Sequence, residues 1–292
     1  MSAVRVAYRT SCALPTPSRT PLFMINKSSS LLRQVSRPYS TATPITGTPV
    51  KPTFLRRALN VLAIGISCTV LGFTMTAAPA LPALNGFLTP PTDEETLTMF
   101  TPSHPKEIEV EAHIKNHWLS QQMRAKPGFT EARPHMKIPA PFRTNNLTAG
   151  TLLGPNRVPV PPVVWVEEGG KSLVSVSYLG EELCGHPGIV HGGFLATMLD
   201  EGMARCSFGA LPHGVGMTAN LNVNYRAPAM TGNYVVLKAE TTNVEGRKAE
   251  VTARIETLPE NEGDKAVILA EATALFISPR NAAMMQKIYP VQ

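Results

Sequence analysis

Beyond position 160 the chain becomes patterned. In Lys248 to Thr257, Ala249, Val251, Ala253 and Ile255 alternate with Lys248, Glu250, Thr252 and Arg254, the period-two signature of a half-exposed antiparallel strand. The same period in Met217 to Tyr225 places Ala219, Leu221, Val223 and Tyr225 on one face and Thr218, Asn220, Asn222 and Asn224 on the other. Apolar runs at Val163 to Val166 and Leu173 to Tyr178 flank Glu168-Gly169-Gly170, a hairpin turn by composition. Tyr234 to Thr242 joins Lys248 to Thr257 through Asn243-Val244-Glu245-Gly246, and Ala266 to Ser278 supplies a last strand.

Between the second and third strands lies Gly185 to Ala210, GHPGIVHGGFLATMLDEGMARCSFGA. A turn-prone Gly-His-Pro-Gly leads through His191-Gly192-Gly193 into helix-favouring residues, until Gly209 and Pro212 stop them. Phe194, Leu195, Ala196, Met198, Leu199, Met203, Ala204 and Cys206 make that helix apolar on most sides, so it expects burial. It nevertheless carries Asp200 and Glu201, and a buried carboxylate costs several kcal/mol unless it is paired or has a task. Two strands, a buried helix and strands joined by tight turns predict an α+β domain, an antiparallel sheet curved around a central helix.

The residues before 160 read differently. A capping box is expected at Thr92-Asp93-Glu94-Glu95, and one helical run over Pro105 to Ala125, with Ile108, Ala112 and Trp118 as a sparse apolar stripe. Residues 126–162 hold eight prolines and predict an irregular segment that packs over a domain without entering its core.

Charge separates the chain further. The formal net charge is +6, but residues 1–57 hold nine Lys or Arg and no acid. The remainder carries eighteen basic and twenty-one acidic residues, which removes nucleic acid as a partner. The acid-free, Ser-, Thr- and Pro-rich leader has the composition of a mitochondrial presequence, with Arg37-Pro38-Tyr39-Ser40 placing cleavage after Tyr39. A basic linker follows at 40–57, then an uncharged Ala58 to Ala78, long enough to span a bilayer and preceded by Arg56-Arg57. The expectation is a mitochondrial protein tethered through 58–78 in the inner membrane, its C-terminal domain facing the intermembrane space. Residues 79–159 form a proline-rich linker and helical lead-in, 160–280 the folded domain and 281–292 a tail. Cys12, Cys68, Cys184 and Cys206 form no CxxC pair and no zinc pattern.

The order of elements, His191-Gly192-Gly193, the acid nine residues after that His, and Met217-Thr218-Ala219-Asn220-Leu221-Asn222-Val223-Asn224-Tyr225 together resemble the hotdog-fold acyl-CoA thioesterases of the phenylacetate-pathway and mitochondrial superfamily-member type. The resemblance covers about residues 160–280. It implies hydrolysis of acyl-CoA to a fatty acid and CoA without a metal or redox cofactor. Asp200 would be the nucleophile or general base, Thr218 its assistant, and His191 a residue near the thioester carbonyl. Gly192 and Gly193 would supply amide donors for the oxyanion at the helix start, beside Phe194. Glu201 lies about 100° around the helix and is a lesser candidate, with a structural ion pair as its other reading. A non-catalytic acyl-CoA- or protein-binding module and a hydroxyacyl-thioester dehydratase using His186 remain alternatives.

Helix geometry adds a constraint. Gly193 and Asp200 are seven residues apart, roughly 10 Å along one helix, whereas groups acting on one carbonyl lie within about 6 Å of each other. Two antiparallel helices across a two-fold axis would bring Gly193 of one near Asp200 of the other, so a homodimer or dimer of dimers is expected. Acyl chain length, the CoA contacts of Arg226, Lys238 and Arg247, and whether the lead-in covers the site stay open at this level.

Overall fold

A computed structural model describes residues 53–78 and 89–285. The presequence and its cleavage point, most of the basic linker, residues 79–88 and the end of the tail lie outside the described residues. Helix α1 spans Phe54–Ala77, so it begins four residues before the uncharged stretch and takes in Arg56-Arg57. At 24 residues it is about 36 Å long, enough to cross a bilayer, and none of its residues is buried. Its hydroxyls cost little in an apolar setting, because Thr69 and Thr76 donate to the carbonyls of Gly65 and Gly72 one turn back, at 2.9 and 2.6 Å.

The lead-in is more structured than its prolines suggest. α2 (Asp93–Thr98) opens on the expected capping box, Thr92 accepting from Glu95 N–H while the Glu95 carboxylate accepts from Thr92 N–H. The single helical run breaks into α3 (Pro105–Asn116) and α4 (Trp118–Ala125). The break is at His117, whose extended backbone starts α4 and whose Nδ1 accepts from Leu119 N–H at 3.2 Å. The expected stripe is corrected as well: Ile108 is 53% exposed, and Val110, Ile114, Leu119 and Met123 are the buried residues. Phe129–Ala132 then forms β1, a strand missing from the sequence reading.

The domain follows as β2 (Val163–Glu167), β3 (Ser172–Leu179), the short hairpin β4 (Cys184–His186) and β5 (Ile189–Val190), helix α5 (Gly192–Phe208), β6 (Met217–Tyr225), β7 (Asn233–Glu245), β8 (Lys248–Thr257) and β9 (Ile268–Ile277). The main sheet is seven-stranded and antiparallel, in the order β1-β2-β3-β7-β8-β9-β6. β7 continues to Glu245, so its turn to β8 shrinks to Gly246-Arg247. The sheet wraps α5, which contacts β3, β6, β7, β8 and β9, and this is the hotdog architecture.

Two cores result, one on each side of the sheet. The inner one joins Leu195, Leu199, Met203 and Cys206 of α5 to Leu237, Val251, Ile255 and Phe276. The outer one seats Val110, Ile114, Leu119 and Met123 on Val163, Trp165, Val176, Tyr178 and Val236. The proline-rich stretch therefore does enter the interior, contrary to expectation, with Met136, Ile138, Ala149, Val158 and Val160 all buried. At the β2–β3 turn, Gly170 has φ +69°, and a Cβ there would lie 2.5 Å from the Cys206 carbonyl oxygen, so this turn can meet the end of α5 only as glycine.

A buried ionic cluster holds the lead-in to α5. Asp93 Oδ1 accepts from Lys137 Nζ at 2.8 Å and from Arg205 Nη2 at 3.3 Å. Burial pulls the Lys137 ammonium below the usual lysine range, and Asp93 offsets this only partly. Arg133 is tied in a similar way, to Glu111 at 2.6 Å and to the Pro161 carbonyl at 2.8 Å. Replacing Asp93 with Ala removes the carboxylate shared by two buried cations. A loss of about 3–5 kcal/mol is expected in urea denaturation.

Candidate functional site

The backbone of α5 turns its first amides outward. His191, with ψ 126°, is the N-cap, and its Nδ1 accepts from Gly193 N–H at 2.9 Å. His191 thus caps the helix, and Gly193's amide is already engaged. Gly192 N–H, by contrast, has no protein acceptor among the described residues. Tyr225 Oη donates to the Gly192 carbonyl at 2.8 Å, and a Cβ on Gly192 would sit 3.3 Å from the Tyr225 ring. A bare backbone at 192 lets this strand close against the helix start.

Two turns along, Asp200 Oδ1 accepts from Thr218 Oγ1 at 2.8 Å. Strict alternation assigns Thr218 to the face opposite Leu221 and Val223, yet it reaches the helix. The cause is a bulge: Thr218 pairs with Phe276 and Asn220 with Leu275, so Ala219 is an extra residue in the register. One inserted residue reverses the side-chain alternation beyond it. Thr218 therefore joins the inward face, where its hydroxyl holds one oxygen of Asp200 and leaves Oδ2 for chemistry. No ion pair involves Asp200 among the described residues.

Asp200 borders a cavity of about 170 Å³ between α5 and the inner face of the sheet. Phe194, Met198, Glu201 and Arg205 line it from the helix, Ser175, Ser177 and Leu237 from the sheet, and Pro134, His135, Thr148 and Pro162 from the lead-in. The lead-in therefore covers the cavity, as the sequence left undecided. Glu201 is bound to that cover: its Oε1 accepts from Thr148 Oγ1 at 2.7 Å and its Oε2 lies 3.4 Å from His135 Nε2. That is the structural role, and it separates Glu201 from Asp200 on the helix surface.

Other candidates resolve similarly. Arg226 pairs with Glu271 at 2.6 Å, Lys238 pairs with Glu256, and Arg247 donates to the Ser278 carbonyl at 2.6 Å, so each has an internal partner. His213 sits in a tight turn at φ 61°. Cys206 is no nucleophile, since burial pushes its thiol up to about 11. Sequence reasoning missed Thr148, His135 and Ser177, which no local motif marks.

Comparison with known proteins bears on the family. A family profile described as the thioesterase superfamily matches residues 187–263, which contain the whole of α5 and β6. The UPF0644 protein PB2B4.06 of Schizosaccharomyces pombe is 31% identical over 195 residues, 66% of this chain and 74% of that protein. A Candida albicans protein named only as mitochondrial is 29% identical over 55% of this chain and 72% of its own length. The mouse acyl-coenzyme A thioesterase THEM4 is 40% identical over 107 residues, which is 37% of this chain and 43% of THEM4.

Glu201→Ala would remove one tie between the cover and the helix, leaving the Asp93–Arg205 contact in place. The lost Thr148 bond predicts about 1 kcal/mol of destabilisation, with faster tryptic cleavage at Arg143, followed by mass spectrometry of the digest.

Proposed function

The chain belongs to the thioesterase superfamily, and from that premise we propose that it hydrolyses acyl-CoA thioesters to a carboxylic acid and free CoA. The observation that carries this reading is the Thr218–Asp200 bond. It fixes a carboxylate by a neutral hydroxyl, beside a cavity, with no cation paired to it among the described residues. Such an acid is oriented, and its second oxygen is left to meet a water.

The proposed reaction has three parts. Asp200 Oδ2 takes a proton from water, and the resulting hydroxide attacks the thioester carbon. Negative charge develops on the carbonyl oxygen, which accepts a hydrogen bond from the N–H at Gly192 of a second protomer, at the positive end of its helix. The tetrahedral intermediate then expels CoA thiolate, which takes the proton from Asp200. CoA enters as part of the substrate, and no metal or redox cofactor is needed for this sequence.

The separation of about 12 Å between Gly192 at the helix start and Asp200 is the reason for two protomers. The sheet offers a place for pairing, because β6 is bonded only to β9 and leaves its outer edge open among the described residues. Met217 and Tyr225 on that strand are more than half exposed, as an interface between copies requires. We place the protein in mitochondria, anchored in the inner membrane by α1. The acid-free basic leader and the mitochondrial relative support the compartment. Protection of the domain from protease in intact mitochondria, lost in mitoplasts, tests its facing.

Asp200→Asn is expected to lower kcat for thiol release by roughly 10³-fold with an unchanged far-UV spectrum. Thr218→Val, which only loosens the acid, should cost roughly tenfold. A single turnover in ¹⁸O-water should label the released acid and leave Asp200 unlabelled, as direct attack by water requires. Light scattering on the detergent-free domain should return twice the protomer mass or a multiple of it.

A further inference from the structure

The wall of the cavity is more polar than a hydrocarbon chain requires. On β3 the inward positions are Leu173, Ser175, Ser177 and Leu179, while Val174, Val176 and Tyr178 face the outer core. Ser177 is 2% exposed, lines the cavity, and its Oγ has no hydrogen-bond partner among the described residues. Serine is not favoured in a strand interior, so sheet propensity does not explain it. From the lead-in, His135 lines the same cavity, with Nε2 toward Glu201 and a buried, unpartnered Nδ1. Buried polar atoms left unpaired are destabilising and rare in native proteins. Two of them bordering one cavity point to a ligand that supplies the missing bonds.

We infer that the acyl group accepted by this cavity carries a hydroxyl along its chain, so that the substrate class is a hydroxyacyl-CoA. This rests on the thioesterase reading above. A hydroxyl is both acceptor and donor: it can accept a hydrogen bond from Ser177 Oγ–H and donate one to His135 Nδ1. A saturated chain of equal length satisfies neither atom, and a site built to pair a hydroxyl discriminates against an analogue lacking it. The acid is released with its hydroxyl intact.

The test uses the purified full chain and pairs of acyl-CoAs of equal length, unsubstituted or hydroxylated at successive positions. One hydroxyl position should raise kcat/KM for thiol release about tenfold, the factor that one hydrogen bond of about 1.4 kcal/mol represents. Ser177→Ala should abolish that advantage, bringing kcat/KM for the hydroxylated member down to that of its unsubstituted partner in the same variant. Equal rates for every pair, or an equal loss on both members in Ser177→Ala, would overturn the inference. If no acyl-CoA releases thiol, hydrolysis itself fails, and calorimetric binding of the same pairs decides the inference separately. A hydroxyl preference that Ser177→Ala removes would then support it, and its absence would reject it.

Discussion

Everything in this molecule is arranged around enclosing α5. A helix apolar on most of its circumference cannot stand in water, and a sheet that curves around it is the covering the chain supplies. The contact is close enough that the β2–β3 turn meets the helix end backbone to backbone, at Gly170 and Gly209. Once enclosed, the helix has a fixed axis, and the two groups that the proposed mechanism uses are spaced by its rise. The free amide at Gly192 and the carboxylate at Asp200 are eight residues apart, about 12 Å, on a rod that cannot bend to bring them together. In the mechanism proposed above, enclosure and separation together call for two copies.

The second core follows from the same geometry. A curved sheet has an outer face that is partly apolar, and here α3 and α4 cover it over β2, β3 and β7. The lead-in then turns around to the inner side, where the Asp93 cluster and Glu201 fix it over the cavity. One segment thus closes both faces, and β6 is left as the uncovered strand at the opposite edge of the sheet.

How much of this was legible depended on whether a signal was local. The alternation of Ala249, Val251, Ala253 and Ile255 reports burial at each position, and all four are buried. The capping box at Thr92 and helix α5 were readable for the same reason, although α5 buries only Leu195, Leu199, Met203, Arg205, Cys206 and Ser207 and leaves Phe194, Ala196, Met198 and Ala204 partly exposed. The bulge at Ala219 was not, because a register slip depends on the partner strand and not on composition. β1 is four residues long with no apolar alternation, and its pairing with β2 is a tertiary event. The break at His117 depends on a histidine serving as an N-cap, and Trp118 Nε1 donating to the Pro259 carbonyl, 141 residues away, reinforces it. Asp200 and Thr218 were found through the motif, but their contact came from the bulge. Ser177, His135 and Thr148 are far apart in sequence and carry no motif, so only folding brings them to one cavity.

The central claim is that a catalytic site is shared between two protomers, and mixing two inactive variants tests it most directly. Gly192→Pro removes the amide donor at the first helical position, with Gly192→Ala, which crowds the Tyr225 ring but keeps the amide, as its packing control, and Asp200→Asn removes the base. If each site takes its amide from one protomer and its acid from the other, refolding the two variants together yields mixed dimers with one intact site, and random pairing restores about a quarter of the wild-type thiol release. A mixture that stays as inactive as either variant alone, with mixed dimers shown to form, would place both groups within a single protomer and contradict the account.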